Sequence, residues 1–317
     1  MLELQHVSKI YRIGAFGRKT LRAVDDVSFD IADGEVVSLI GESGSGKTTI
    51  GKMILRLIGI SEGKILFDGQ DISLLKGASL KEYYRYVQGV FQDPFSSYNP
   101  IFKADRIFSL VKEEFYPSTS ASEWKEKVEG ALRAVGLNPP DVLNKYPHQL
   151  SGGQLQRFLI ARALLLDVKF LVADEIISML DASTRVDVLN LIGDLKARGL
   201  SVLFITHDLA LGYYIGDKAV IMYKGRVVEM GSTEKVYHDT LHPYTKMLMA
   251  AVPRLDEKWE EVEIRLKEQV GDGTLGCPYY GRCPVAEDRC RVETPPLHRK
   301  DEDHWVACWK YYDEKDG

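Results

Sequence analysis

The chain has 317 residues, of which 45% are hydrophobic and 27% charged, with a formal net charge of −5. That length and composition suit a globular protein with a sizeable core and, by size alone, two domains. The acidic balance argues against a nucleic-acid partner, no apolar run approaches the roughly 18–20 residues of a membrane span, and Met1 to Gln5 lacks a signal-peptide profile, so a cytoplasmic location is expected.

In chain order, Leu2-Glu3-Leu4 and the stretch from Ala23 to Ile31 alternate as strands do, and Asp33-Gly34 is a turn pair. Tyr11 falls in the first connection, as either an ordinary half-buried aromatic or a stacking face for a base. Val36 to Ile40 is apolar apart from one serine, the mark of a buried strand. It leads into Gly41-Glu42-Ser43-Gly44-Ser45-Gly46-Lys47-Thr48-Thr49. An amphipathic helix from Thr48 to Ile58 follows, with Ile50, Met53, Ile54, Leu57 and Ile58 on one face and Gly59 near its C-terminal cap.

Gly-x4-Gly-Lys-Thr between a strand and a helix is what a phosphate-cradling loop requires. The glycines let several backbone N–H groups approach one anion, and the helix start adds unpaired donors and about half a positive charge. Lys47 would supply a full charge to the β- and γ-phosphates and Thr48 a hydroxyl for Mg²⁺. The loop therefore points to a nucleoside triphosphate.

Further on, Gly63 to Phe67 reads as a strand, Asp68-Gly69 as a hairpin turn and Lys81 to Tyr86 as a helix. An apolar run from Tyr86 to Phe91 ends in Gln92-Asp93-Pro94. Residues of about 95–165 change character: an aromatic and serine loop, Phe95 to Pro100, precedes helical patterns, notably Ser122 to Val135. They read as a helical insert within an α/β scaffold. In it, Leu150-Ser151-Gly152-Gly153-Gln154 precedes a helix from Leu155 to about Leu166 and is either a second anion site or a plain capped helix start.

Phe170 to Ala173 is a buried strand that ends in Asp174-Glu175. Ligands sit at such strand ends, where Asp174 can hold Mg²⁺ through its water shell and Glu175 can orient or deprotonate a water. Two solvated acids are the alternative. A helix from Ser183 to Arg198 follows, then strands from Ser201 to Thr206, Lys218 to Tyr223 and Arg226 to Met230, the last after a Lys224-Gly225 turn. Strands interleaved with helices argue for a largely parallel sheet with helices on its faces. A third region starts near Pro253, where Glu261 to Lys267 alternates as a strand does until Gly271-Asp272-Gly273. All four cysteines follow, at Cys277, Cys283, Cys290 and Cys308.

Gly41 to Thr49, Gln92, Leu150 to Gln154, Asp174-Glu175, Leu180-Asp181 and His207 occur in the order and approximate spacing of an ABC-transporter ATPase cassette, and the chain resembles that family over nearly its whole length. The resemblance implies an α/β fold: a P-loop NTPase (RecA-like) core with an antiparallel β subdomain, a helical signature subdomain and a small C-terminal extension. On that reading the ATPase domain spans 1–252, its helical subdomain about 95–165, and the extension 253–317. Two cassettes would close head to tail, with Ser151, Gly152, Gly153, Gln154 and Asp181 of one chain completing the ATP site of the other.

Within one chain, the resemblance makes Tyr11 the adenine-stacking aromatic and places Gly41, Ser43, Gly44, Ser45, Gly46, Lys47, Thr48 and Thr49 around the phosphates. Thr48, Gln92 and Asp174 would serve Mg²⁺; Glu175, His207, Lys47 and Gln92 would serve hydrolysis, with His207 holding the γ-phosphate. The family usually has proline after the catalytic glutamate, whereas Ile176 stands here. Its loss frees φ and leaves the loop toward Asp181 less constrained.

The Phe91 to Pro100 run, the loop from Ile13 to Lys19, His242-Pro243-Tyr244-Thr245 and the cysteine tail resemble the oligopeptide/dipeptide-importer branch, although the usual proline-rich run before Cys277 is missing. That branch implies a second, different ATPase chain, two transmembrane permease subunits, an extracytoplasmic solute-binding protein, and a peripheral position on the cytoplasmic face of the membrane. Residues from Gln92 to Asn99, with Phe95 and Tyr98, would form the socket for a permease helix. The tail's Cys-x5-Cys-x6-Cys-x17-Cys spacing lacks the close pairs of structural zinc; an iron–sulfur cluster, zinc, and free or paired thiols all remain open on spacing alone. The resemblance favours a [4Fe–4S] cluster on Cys277, Cys283, Cys290 and Cys308, in a structural or sensing role because the tail is far in sequence from every nucleotide motif. An oligosaccharide importer of the same branch, or a non-transport ABC ATPase, are the alternatives.

Overall fold

A computed structural model of the chain describes residues 1–13, 19–251 and 276–312. The strand read from Glu261 to Lys267, the Gly271-Asp272-Gly273 break, Pro253 and residues 14–18 of the first loop lie outside the described residues. The chain begins with β1 (Leu2–Ile13), β2 (Lys19–Ile31), β3 (Val36–Ile40), α1 (Lys47–Ile54), β4 (Glu62–Phe67) and β5 (Gln70–Asp71). It continues with α2 (Gly77–Tyr86), β6 (Val87–Val90), α3 (Arg106–Phe115), α4 (Ala121–Ala134), α5 (Pro139–Val142) and α6 (Gly152–Leu164). Next come β7 (Phe170–Asp174), α7 (Ala182–Ala197), β8 (Ser201–Thr206), α8 (Leu209–Ile215), β9 (Lys218–Tyr223) and β10 (Arg226–Ser232). The last elements are α9 (Thr233–His238), α10 (Pro243–Ala250), α11 (Asp288–Val292), β11 (His298–Asp301) and β12 (His304–Val306). Two units are distinct: one holds residues 1–31, 36–73 and 205–317, the other 32–35 and 74–204.

The first unit carries an antiparallel sheet in the order β2-β1-β4-β5, as expected of the β subdomain. β1 runs far beyond Leu4, so Tyr11 lies within a strand rather than in a connection. Alternation fails after Leu4 because His6 adopts a left-handed φ of 50° and the register with β2 shifts between Leu4 and Val7 and again between Val7 and Lys9. Such bulges bend a strand without ending it. The same unit holds the strand order β11-β12-β10-β9-β3, in which β3 pairs parallel with β9 and the remaining pairs are antiparallel. Ion pairs Arg226–Asp25 at 2.6 Å and Lys218–Asp30 at 2.9 Å tie the two sheets together.

α1 is shorter than its apolar periodicity predicts. Leu57 N donates to Lys52 O at 3.0 Å and Arg56 N to Met53 O at 3.0 Å, with Arg56 at φ 55°. This is a Schellman stop built on arginine instead of glycine, and it leaves Leu57 58% exposed rather than on the buried face.

β11 and β12 extend the sheet at the β10 edge, which the cysteine spacing gives no hint of. The junction is fixed by Glu229, which is fully buried: its carboxylate accepts from Leu241 N at 2.7 Å and His242 N at 2.9 Å and lies 2.8 Å from His304 Nε2. Removing the acceptor strands three polar groups in the interior, each costing about 1–3 kcal/mol. Glu229→Ala is therefore expected to destabilise the protein by about 3 kcal/mol or more, and Glu229→Gln by less, measured by urea unfolding.

The second unit contains β8, β7 and β6 in that order, β6 and β7 being parallel with Val87 opposite Phe170. Its helical part runs from α3 to α6. α6 is buried on most of its faces, at Leu155, Gln156, Phe158, Leu159, Ile160, Ala161 and Ala163, so the other helices cover it. Phe158 stacks on Phe108 with ring centroids 5.2 Å apart, and Ser120 caps α4 by accepting from Glu123 N.

Candidate nucleotide-binding site

In the first unit, the fully buried β3 delivers Gly41 to the loop, and the loop is wrapped around Lys47. Lys47 Nζ donates to Gly41 O at 2.7 Å and Glu42 O at 2.9 Å and lies 3.4 Å from Ser45 Oγ. Gly225 N donates to Ser45 O at 3.0 Å, anchoring the loop to the β9–β10 turn. Gly46 has φ 104°, and a Cβ there would stand 2.4 Å from Ala23 O, so only glycine fits. Ser43, Gly44 and Thr48 remain exposed while Lys47 is buried. The loop thus curls round its own cation and leaves Ser43, Gly44 and, at the α1 start, Thr48 at the surface, an arrangement that suits a polyanion.

Tyr11 is 37% exposed, with the Lys9 ammonium 5.2 Å from its ring centroid. His207 is exposed after β8, just before Asp208, which caps α8 by accepting from Leu211 N at 3.3 Å. Tyr11 thus lies within β1 and His207 in the bend after β8, both open to solvent.

In the second unit, Asp174 closes β7 and is 4% exposed. Glu175 has φ 50°, a left-handed conformation rare for a residue with a Cβ and concentrated at functional sites. The loop after it is braced without the family's proline. Ser178 N and Oγ both donate to Glu175 O, at 3.1 and 2.9 Å, and Arg185 Nε donates to Leu180 O at 2.8 Å. Ile176 and Ile177 are buried, so the isoleucine supplies packing where the proline would have fixed φ. Asp181 caps α7 and accepts from Ser183 Oγ, Thr184 N and Thr184 Oγ1 at 2.7, 3.0 and 2.8 Å. Those donors hold its carboxyl well below the usual carboxylate range.

Ser151 and Gln154 form a reciprocal capping box on α6: Gln154 N donates to Ser151 Oγ at 3.2 Å and Ser151 N to Gln154 Oε1 at 2.9 Å. A Cβ on Gly153 would come 2.6 Å from Thr184 Cγ2, so this glycine lets α6 and α7 approach.

Gln92 is exposed at the end of β6. The aromatics beside it divide. Phe95 is 49% exposed, but Tyr98 is buried and donates its hydroxyl to Leu155 O at 3.1 Å, so Tyr98 is a packing residue and not part of an open socket. Ile101 and Phe102, 76% and 52% exposed, supply the apolar surface instead. Their signal was available as two large apolar residues directly after the Asn99-Pro100 turn.

The four cysteines converge although they span 32 residues of sequence: Cys277, Cys283, Cys290 and Cys308 line one small cavity with His242, Tyr279 and Tyr280, and none is disulfide-bonded. Burial pushes the Cys277 thiol up to about 11 and raises Cys308 as well. Among the described residues no group of three His, Cys, Asp or Glu side chains is arranged to hold a metal ion. His242 caps α10, its Nδ1 accepting from Tyr244 N at 3.1 Å, and burial lowers its pKa to about 3, so the neutral ring makes the cap.

Residues 24–178 match the model of the ABC transporter family, and residues 228–290 match that of the oligopeptide/dipeptide transporter C-terminal region. The chain is 41% identical over 324 residues to the oligopeptide transport ATP-binding protein OppF of Haemophilus influenzae, covering 98% of this chain and 97% of the relative. It is 40% identical over 324 residues to the oligopeptide transport ATP-binding protein AppF of Bacillus subtilis, with the same coverage of 98% and 97%. Among solved structures, a dimeric ATP-binding cassette, MJ0796, in a post-hydrolysis state bound to ADP and phosphate superimposes with a TM-score of 0.66 at 28% identity, over 74% of this chain and 99% of that one.

Proposed function

Because the chain belongs to the ATP-binding subunits of ABC transporters, we propose that it is the ATP-hydrolysing subunit of an importer of oligopeptides or dipeptides. The observation that carries the peptide reading is the pairing, in one chain, of a cassette with the oligopeptide/dipeptide C-terminal region over residues 228–290.

In this reading Gly41 to Thr49 hold the triphosphate, with Lys47 at the β- and γ-phosphates, and Tyr11 stacks on the adenine. Mg²⁺ falls to Thr48, Gln92 and the water shell of Asp174. Glu175 takes up a proton from the attacking water and His207 holds the γ-phosphate. Ser151, Gly152, Gly153, Gln154 and Asp181 act on the nucleotide of a second ATPase chain, a different subunit. Two permease subunits dock on the surface made by Phe95, Ile101 and Phe102, and a solute-binding protein delivers peptide to them. No helix among the described residues is long and apolar enough to cross a membrane, which fits attachment through the permeases at the cytoplasmic face. The ATPase domain runs over 1–252 and the extension over 253–317.

In this reading the extension would hold a [4Fe–4S] cluster, for which the described cysteines would have to draw closer, since no three of them are yet arranged to hold a metal ion. Four thiols around one cavity are the donor set of such a cluster, and burial keeps the Cys277 thiol protonated until a metal takes the proton's place. A bound cluster would tie the cysteine-bearing segments of the tail together. Cys277, Cys283, Cys290 and Cys308 would each give one sulfur.

Substrate class is tested by competition. An importer assembled with this chain should take up a labelled oligopeptide, and excess unlabelled peptide should abolish the signal while an oligosaccharide does not. The reverse pattern would assign the chain to an oligosaccharide importer.

A further inference from the structure

The tail's remoteness from the nucleotide motifs is a property of the sequence and not of the fold. Between Cys277 and Cys283 the chain makes one 3-10 turn, Tyr280–Arg282, closed by Cys283 N donating to Tyr280 O at 3.2 Å. Arg282 at its end places Nη1 3.1 Å from each carboxylate oxygen of Glu42, the second residue of the phosphate loop and 240 positions away. The guanidinium is also held by aromatic faces, with the centroids of Tyr223 and Tyr279 at 5.9 and 5.7 Å.

Glu42 is gripped at three points. Its carboxylate meets Arg282, its N–H donates to Tyr244 Oη at 2.9 Å, and its carbonyl accepts from Lys47. Behind it, Ile40, Tyr223, Tyr244, Cys277 and Cys283 belong to one buried cluster, so the first two cysteines pack into the same core that carries the loop. A carboxylate beside an anion-binding loop opposes a triphosphate unless it is neutralised and kept in place. Arg282 does both. With side chains 23% and 41% exposed, water screens the pair, so its effect is a matter of a few-fold.

We propose that the cysteine-bearing segment is a strut for the nucleotide loop, with Arg282 as the positioning residue, so that a change at Cys283 is read as a change in nucleotide affinity. The inference rests on the assignment of Gly41 to Thr49 as the nucleotide loop.

Calorimetric titration of the full chain with MgADP tests it, with circular dichroism verifying that each variant is folded. Arg282→Ala should weaken binding by about 3–10-fold, and Arg282→Lys by less, because it keeps the charge but loses the contact with both oxygens. In a Glu42→Gln background, Arg282→Ala should change affinity by less than about twofold, since the carboxylate it neutralises is gone. Cys283→Ser should shift affinity in the wild-type background and lose that shift beside Arg282→Ala. Wild-type affinity in Arg282→Ala, equal losses with and without Glu42, or an equal Cys283→Ser shift in both backgrounds would each overturn the strut. A wild-type chain that binds no MgADP would overturn the loop assignment itself.

Discussion

Glu175→Gln should lower ATP hydrolysis by the assembled complex by about 100-fold or more while MgATP binding is retained. An amide is nearly isosteric with the carboxylate but cannot accept a proton from water. The left-handed backbone at Glu175 and the buried Ile176-Ile177 pair fix where this side chain starts, so the substitution changes chemistry more than position. Phosphate release by wild-type and variant complexes, with nucleotide binding measured in parallel, checks it. Equal hydrolysis by the two would remove Glu175 from the reaction and, with it, the reading that Ile176 replaces the family's proline without loss of activity.

Lys47→Ala should abolish nucleotide binding at the concentrations the wild type needs, a loss of about 100-fold or more. On the proposed reading the ammonium would make a charge-assisted contact to phosphate, and it closes the loop through the carbonyls of Gly41 and Glu42. Removing it leaves those carbonyls turned toward an empty centre. Lys47→Arg should fail almost as badly, since the site around Nζ is buried and shaped for a compact ammonium rather than a planar fork. Fluorescent-nucleotide titration measures both. Tight binding by Lys47→Ala would show that the loop recognises phosphate through its backbone alone, and tight binding by Lys47→Arg that the buried centre accepts a guanidinium.

Where a signal is local, the sequence alone is enough. β3, β8 and β9 begin and end where their apolar runs do, because strands buried on both faces are near-continuous apolar runs, interrupted in β3 only by the buried Ser38. The phosphate loop, closed by Lys47 on the carbonyls of Gly41 and Glu42, is nearly as local, and in the Ser151–Gln154 capping box and the Asp181 cap a side chain meets backbone three residues away. Signals carried by backbone strain or by distant pairing were hidden. The bulges that let β1 reach Ile13, and the left-handed Arg56 that ends α1 early, have no glycine to announce them. Tyr98 resembles an exposed docking aromatic until Leu155 O is seen to satisfy its hydroxyl. The Arg282–Glu42 contact joins residues 240 apart, beyond any periodicity.

ATP hydrolysis by this chain should drive peptide import, and transport in a reconstituted system tests this directly. Proteoliposomes holding the permeases and both ATPase subunits are loaded with ATP inside and given labelled oligopeptide with its solute-binding protein outside. With the wild-type chain, peptide should accumulate as ATP is consumed; with Glu175→Gln, accumulation should fall to the level seen without ATP. Undiminished accumulation with Glu175→Gln, or hydrolysis with no accumulation of peptide, would show that hydrolysis by this chain does not drive peptide import.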